Sequence, residues 1–229
     1  MSKTQGRATA QATAVLARRF IEAGFHPTAY RTLGRTGLSV SALGFGAYRV
    51  DAQTPEHRLS LEQSLRAGCN LIDTSANYSD GESEECIGAA LEEGVRQGSL
   101  VRAERVVVSK IGYVQGQNLQ LAREREAAGK AFPEMVKISE GCWHCIHPEF
   151  LRDQLTRSRE RLRLGTLDVC LLHNPGDFFA GAKKHGGGSD DRTPLAPPPP
   201  LSRGGAPGRE STQDCAAGRH RGSPGSASA

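Results

Sequence analysis

Between residues 30 and 179 the apolar residues fall into short continuous runs, separated by stretches in which they return every three or four positions. The runs are Ala42 to Gly46, Leu71-Ile72, Val106-Val107-Val108 and Val169-Cys170-Leu171-Leu172, each of strand length. Ahead of them, Tyr30 to Leu33 and Leu38 to Ser41 flank Gly34 and Gly37 and predict a short hairpin. The periodic stretches carry helix signals. Thr54-Pro55-Glu56 supplies an N-cap, an N1 proline and a first-turn acid, and Gly68 closes that helix. Ser83-Glu84-Glu85 is expected to cap a second helix, with Ile87, Ala90 and Leu91 on one face. His147-Pro148-Glu149 opens a third, with Leu151, Leu155 and Leu162 near helical spacing and Gly165 beyond. Arg159 stands on it where a core-facing apolar residue is expected.

Strands alternating with helices predict right-handed βαβ units and a parallel sheet, and continuous apolar runs predict that both its faces are covered. In such sheets chemistry gathers beyond the carboxyl ends of the strands. Those ends present Asp73, Lys110 and His173, with Tyr78 five residues after Asp73. Each residue alone reads more readily as a turn, a cap or a satisfied core group; four different ionisable types at successive strand ends read as a site. A phenol is a weak acid, a neighbouring lysine cation favours the tyrosinate, and a carboxylate partners the lysine. The histidine can orient a carbonyl oxygen or share the phenol's proton. The set suits proton donation to a carbonyl oxygen while a hydride arrives from a nicotinamide or flavin, since no side chain provides one.

The stretch from Asp73 through Tyr78 and Glu84 to Ile87-Gly88 closely resembles the aldo-keto reductase signature. Tyr30 to Leu38, Ser109-Lys110 and Leu171-Leu172-His173-Asn174-Pro175 resemble that family in the same order. The resemblance covers roughly residues 30–178. It implies an α/β, TIM-type (β/α)8 barrel that reduces aldehydes or ketones with NADPH, or runs the reverse oxidation. It makes Tyr78 the general acid, Lys110 the group that lowers its pKa, Asp73 the partner of Lys110 and His173 the residue that orients the substrate. Gly46, Ala47 and Tyr48, with Asp73, fall where the family places the nicotinamide. Gly44-Phe45-Gly46 is not a Rossmann fingerprint, because Arg49 replaces the third glycine. Only about the first four β/α units are expected, the chain reading as truncated after the fourth strand, with the segments for strands five to eight absent. The alternative to an active reductase is therefore a catalytically silent fragment that acts at most as an interaction protein. A half barrel leaves exposed sheet edges, through which copies could self-associate.

The flanks divide the chain into an N-terminal extension (1–29), the partial barrel (30–179) and a tail (180–229). The tail is rich in Gly, Pro, Ser and Ala, with Leu195 and Leu201 as its large apolar residues, and is expected to be disordered. Its abrupt start after Phe178-Phe179 also fits an interrupted reading frame or gene model. Most of the formal net charge of +4 lies in it, so residues 1–179 are nearly neutral and lack the basic face of a nucleic-acid binder. Residues 1–21 hold Lys3, Arg7, Arg18 and Arg19 and no acid. That composition fits a transit peptide and equally an amphipathic helix built on Ala14, Val15, Arg18 and Arg19. No run of 18 apolar residues is present, so no membrane span is expected. Six cysteines without a secretory signal read as reduced thiols of a cytoplasmic protein, or an organellar one if residues 1–21 are a transit peptide. Within the long excursion 112–147, Cys142-Trp143-His144-Cys145 and His147 have no second C-x-x-C, and the expectation is no metal.

Overall fold

The computed structural model describes residues 3–179. The chain begins with α1 (Ala10–Glu22), capped by Thr9, whose hydroxyl accepts the Ala12 N–H at 3.1 Å. This helix buries Thr13, Leu16 and Ala17. The buried stripe is thus the neighbour of the one expected, since Val15 is exposed and Arg18 points to solvent. A hairpin follows, β1 (Tyr30–Thr32) against β2 (Ser39–Ser41), antiparallel as the glycine spacing predicts.

The repeat then starts: β3 (Phe45–Gly46), α2 (Pro55–Arg66), β4 (Leu71–Asp73), α3 (Glu82–Arg96) and β5 (Val106–Ile111). After an excursion made of β6 (Tyr113–Val114), α4 (Gly116–Ala127), β7 (Val136–Ser139) and β8 (Cys142–His144) come α5 (Pro148–Arg161) and β9 (Val169–Leu172). Strands β3, β4, β5 and β9 lie side by side in that order, all parallel. This is the four-unit opening arc of a (β/α)8 barrel. Leu61, Leu65, Ile72, Ile87, Leu91, Val107, Leu162 and Leu164 fill the space between sheet and helices. At about 25 cal/mol per Å2 of apolar surface removed from water, these side chains dominate the stability of the layer.

One helix start and one helix face differ from the sequence reading. Ser83 does not cap α3: the turn Tyr78–Gly81 runs straight into the helix, Gly81 is the cap, and Ser83 already lies inside the first turn. Its hydroxyl is buried instead, within 2.7 Å of the Thr74 hydroxyl and donating to Ala47 O at 2.9 Å. On α5, His147 caps as expected, its Nδ1 accepting the Glu149 N–H at 3.3 Å. The stripe that α5 buries is Phe150, Gln154 and Ser158, so the leucines Leu151 and Leu155 are only half-buried. Helices α3 and α5 meet almost backbone to backbone. A Cβ on Gly88 would sit 2.5 Å from Arg161 O, and only glycine permits that approach.

The excursion is a packed unit rather than a loop. Its strands form an antiparallel sheet in the order β6-β8-β7, and Val114, Leu119, Phe132, Trp143, Cys145 and Phe150 make its own core. Cys145 is part of that core, where burial pushes its thiol up to about 11, away from the thiolate that metal or redox chemistry uses. Among the described residues no group of three His, Cys, Asp or Glu side chains is placed to hold a metal ion. No helix there is long and apolar enough to cross a membrane. The expected disordered tail, residues 180–229, lies outside the described residues.

Candidate active site

Register staggers the strand ends. Gly46 pairs with Asp73 and Asp73 with Val108, while β5 and β9 run on together to Ile111 and Leu172, and the carboxyl ends of all four form one rim. The Lys110 ammonium sits at the centre of it. Its Nζ donates to Asp73 Oδ2 at 2.7 Å, to Thr74 O at 2.9 Å and to the Tyr78 hydroxyl at 3.2 Å. The Lys110 side chain is 15% exposed, so this is a largely desolvated cation whose three N–H bonds are all satisfied. It also lies 4.7 Å from the centre of the Tyr78 ring.

Tyr78 is carried by a strained turn. The two residues after it, Ser79 and Asp80, are left-handed at φ 47° and 53°, a conformation that costs of order 1–3 kcal/mol per residue outside glycine. Asp80 offsets that cost by accepting the Gln117 N–H at 2.9 Å, so the turn is clamped to the first turn of α4. The clamp requires Gly116, because a Cβ there would lie 2.0 Å from Asp80 Oδ1. Tyr48 closes the other side of the phenol, edge-on with ring centres 5.1 Å apart.

His173 follows β9 and stands edge-on to Tyr78, ring centres 5.7 Å apart, with no hydrogen bond joining them. Its N–H donates to Ile111 O at 2.8 Å, and His144 Nε2 donates to its carbonyl at 2.7 Å. Burial, then the Lys110 cation and His144, push its pKa down to about 4, which leaves the imidazole neutral at neutral pH. The unfolded chain, with histidine near 6.5, takes up a proton that the fold refuses, so stability falls as pH drops from about 6.5 towards 4. Buried His144 is lowered too and acts in the same direction. Urea midpoints at pH 8 and pH 5 should therefore differ by about 1–2 kcal/mol from His173 alone. His173→Gln should flatten that slope; an unchanged slope would place the acid sensitivity elsewhere.

The four residues expected to converge, Asp73, Tyr78, Lys110 and His173, are brought together. Three supporting groups were not foreseen from the sequence. Ser109 Oγ donates to Glu84 at 2.5 Å and Arg161 Nε donates to the same carboxylate at 2.8 Å, a buried network tying β5, α3 and α5 together under Lys110. Ser75 and Asn77 line the rim between β4 and His173. Asp168 accepts from Arg102 at 2.8 Å and from the Val107 N–H at 2.9 Å, fixing the start of β5. The signal available was a polar residue inside an otherwise apolar run, as Ser109 is, or an acid on the buried face of a helix, as Glu84 is.

The family model described as the aldo/keto reductase family matches residues 42–179. This chain belongs to the aldo/keto reductase family. It is 29% identical over 143 residues to the NADH-specific methylglyoxal reductase of Escherichia coli, across 62% of this chain. It is also 29% identical over 126 residues to L-galactose dehydrogenase of Arabidopsis thaliana, across 52% of this chain. In each case the chain spans only 38% of the relative's length. A holo-form aldo-keto reductase from Bacillus halodurans superposes with a TM-score of 0.48 at 25% identity, over 69% of this chain and 47% of that one.

Members of this family work with nicotinamide cofactors, and the rim of this chain has room for one. Above Gly46 the surface is open, since an added Cβ would meet no atom within 4 Å. Ala47 is fully buried with both backbone groups engaged, its N–H on Asp73 O at 2.9 Å and its O on Ser83, so it forms a rigid floor. Tyr48 projects from that floor, 66% exposed, next to Tyr78. An aromatic side chain, an open glycine and a fixed floor suit a flat heteroaromatic ring.

Proposed function

We propose that this chain reduces an aldehyde or ketone to an alcohol with NADPH, Tyr78 acting as the general acid. The observation that carries the reading is the position of Lys110 Nζ, within hydrogen-bonding reach of both the Asp73 carboxylate and the Tyr78 hydroxyl at the ends of adjacent strands. The carbonyl oxygen of the substrate accepts from the Tyr78 O–H. Gly46, Ala47, Tyr48 and Asp73 would hold the nicotinamide, which would supply the hydride for the carbonyl carbon. As the phenol proton passes to the substrate oxygen, the Lys110 ammonium at 3.2 Å stabilises the charge left on the tyrosine. Asp73 pairs with Lys110 and aims it, and neutral His173 orients the substrate without competing as an acid. The same groups run backwards for alcohol oxidation.

The substrate is a small carbonyl compound, the location is the cytoplasm, and copies associate through β3 and β9, each of which is paired on one side alone among the described residues. Fluorescence titration of the purified chain with NADPH, and in parallel with NADH, tests the cofactor; light scattering on the same sample reads association. Saturable micromolar binding of NADPH, with carbonyl-dependent oxidation, supports the reading. Lys110→Met should then lower kcat by about 100-fold or more. A folded sample that binds neither nucleotide would make the chain a catalytically silent member of its family.

A further inference from the structure

Three consecutive residues after Tyr78 have positive φ: Ser79 at 47°, Asp80 at 53° and Gly81 at 99°. Ser79 and Asp80 carry side chains that disfavour this conformation, so the turn needs support from elsewhere. The first turn of α4 grips it on both sides of Tyr78. Ahead of the phenol, Asn77 Nδ2 donates to Gln115 Oε1 at 2.8 Å. Behind it, the Gln117 N–H donates to Asp80 Oδ1 at 2.9 Å and reaches Oδ2 at 3.3 Å, and Gln117 Nε2 donates to the Asp80 main-chain oxygen at 3.0 Å. The need is mutual. Gln115 stands at the N-cap of α4 without a side-chain cap bond, and the first turn of α4 holds no acid, so the Asp80 carboxylate supplies both an acceptor and a negative charge.

We infer that the first turn of α4 positions the general acid, Asp80 being the positioning residue: held by Gln117, it fixes the left-handed turn that keeps the Tyr78 hydroxyl on Lys110. Among the described residues that hydroxyl makes one hydrogen bond, the 3.2 Å contact from Lys110. Tyr48 and His173 meet the ring edge-on and wall it in without aiming its oxygen. The direction of the phenol is therefore set by the short span of backbone that carries it. One end of that span is fixed where the Ala76 N–H donates to Lys110 O at 3.0 Å. The turn at Ser79 and Asp80 is the other end. Were these two residues to relax to right-handed values, the phenol would shift with them, and a displacement of about 1 Å costs on the order of 100-fold in rate. Asp80 touches no reacting atom and acts through Tyr78. The catalytic consequence rests on the reductase reading above; the grip on the turn does not.

Asp80→Gly separates positioning from mere capping. Glycine takes φ 53° without strain while the carboxylate is lost, so the two effects on stability offset and the urea midpoint stays near the native one. At saturating NADPH, kcat should nevertheless fall about tenfold or more, with KM for NADPH unchanged. Asp80→Asn, whose Oδ1 still accepts from Gln117, should recover most of that loss. A folded Asp80→Gly chain with the native kcat overturns the inference. Should that variant unfold, Gln117→Ala, which leaves every residue of the turn in place, decides by the same readings. NMR on the chain carrying carbon-13 lysine needs no turnover. The Lys110 side chain, assigned with Lys110→Met, should be shifted by the Tyr78 ring, whose centre is 4.7 Å from Nζ. Asp80→Gly should return that signal towards the position of an exposed lysine, and an unmoved signal also overturns the inference. A native chain that shows the shifted lysine, loses it in Asp80→Gly and reduces no carbonyl would sink the reductase reading and leave the positioning standing.

Discussion

Tyr78→Phe should abolish carbonyl reduction, lowering kcat by a factor of roughly 10²–10⁴ while the affinity for NADPH stays the same. The substitution is conservative in every respect but one. The ring keeps its edge contact with Tyr48 and its place beneath Lys110, and the hydroxyl's hydrogen-bond partner is the Lys110 ammonium, which retains Asp73 and Thr74 O. What disappears is the proton. Single-turnover measurement under saturating NADPH isolates the chemical step from product release. A Tyr78→Phe chain that turned over at the native rate would hand the acid role to another group, and neutral His173 is too poor a proton donor to take it at pH 7.

Glu84→Ala should cost about 3–5 kcal/mol of stability, the largest loss expected from a single exchange outside the rim. Glu84 is fully buried and both carboxylate oxygens are used, one by Ser109 and one by Arg161. Truncation strands the Arg161 guanidinium, 17% exposed, without its counter-charge and leaves the Ser109 hydroxyl dry. A domain stable by about 5–15 kcal/mol would lose a large share of its margin. The urea midpoint measures it. The pair Glu84→Ala with Arg161→Leu should recover part of the loss, because no buried charge is then left alone. A loss below about 1 kcal/mol would mean that water reaches the pair.

The order of strands, the hairpin and the rim were legible because each rests on a local rule. Val106 to Val108 and Val169 to Leu172 are continuous apolar runs, and Asp73, Lys110 and His173 stand where those runs stop. Helix faces were less legible. On α5 the leucines at 151 and 155 form an apolar stripe, yet the surface that packs is Phe150, Gln154 and Ser158, because Gln154 finds Asn118 at 3.1 Å and Phe150 meets Phe132. Similarly, Ser83 has the chemistry of a cap, and only the left-handed turn before it shows that the helix has already begun. The excursion read as a loop because its strands are two to four residues long, too short for a pattern. Buried partnerships such as Glu84 with Arg161 span 77 positions of sequence and leave no periodic trace.

Asp168 has a further consequence, for the order of folding. Besides Arg102 and Val107 it accepts the Ala8 N–H at 2.7 Å, across 160 residues, and Thr4 bridges to Leu164 nearby. The entry to α1 is thus tied to a segment synthesised near the far end of the sheet. During translation the apolar stripe of α1 can close early, Leu16 and Ala17 packing on nearby Tyr30, but the segment ahead of the helix must wait until residues 164–168 have left the ribosome. Contacts of such long range close slowly, since the loop entropy must be met before they form. The segment ahead of the first helix is therefore expected to be among the last to dock, and until it does that end of the chain stays open to proteases.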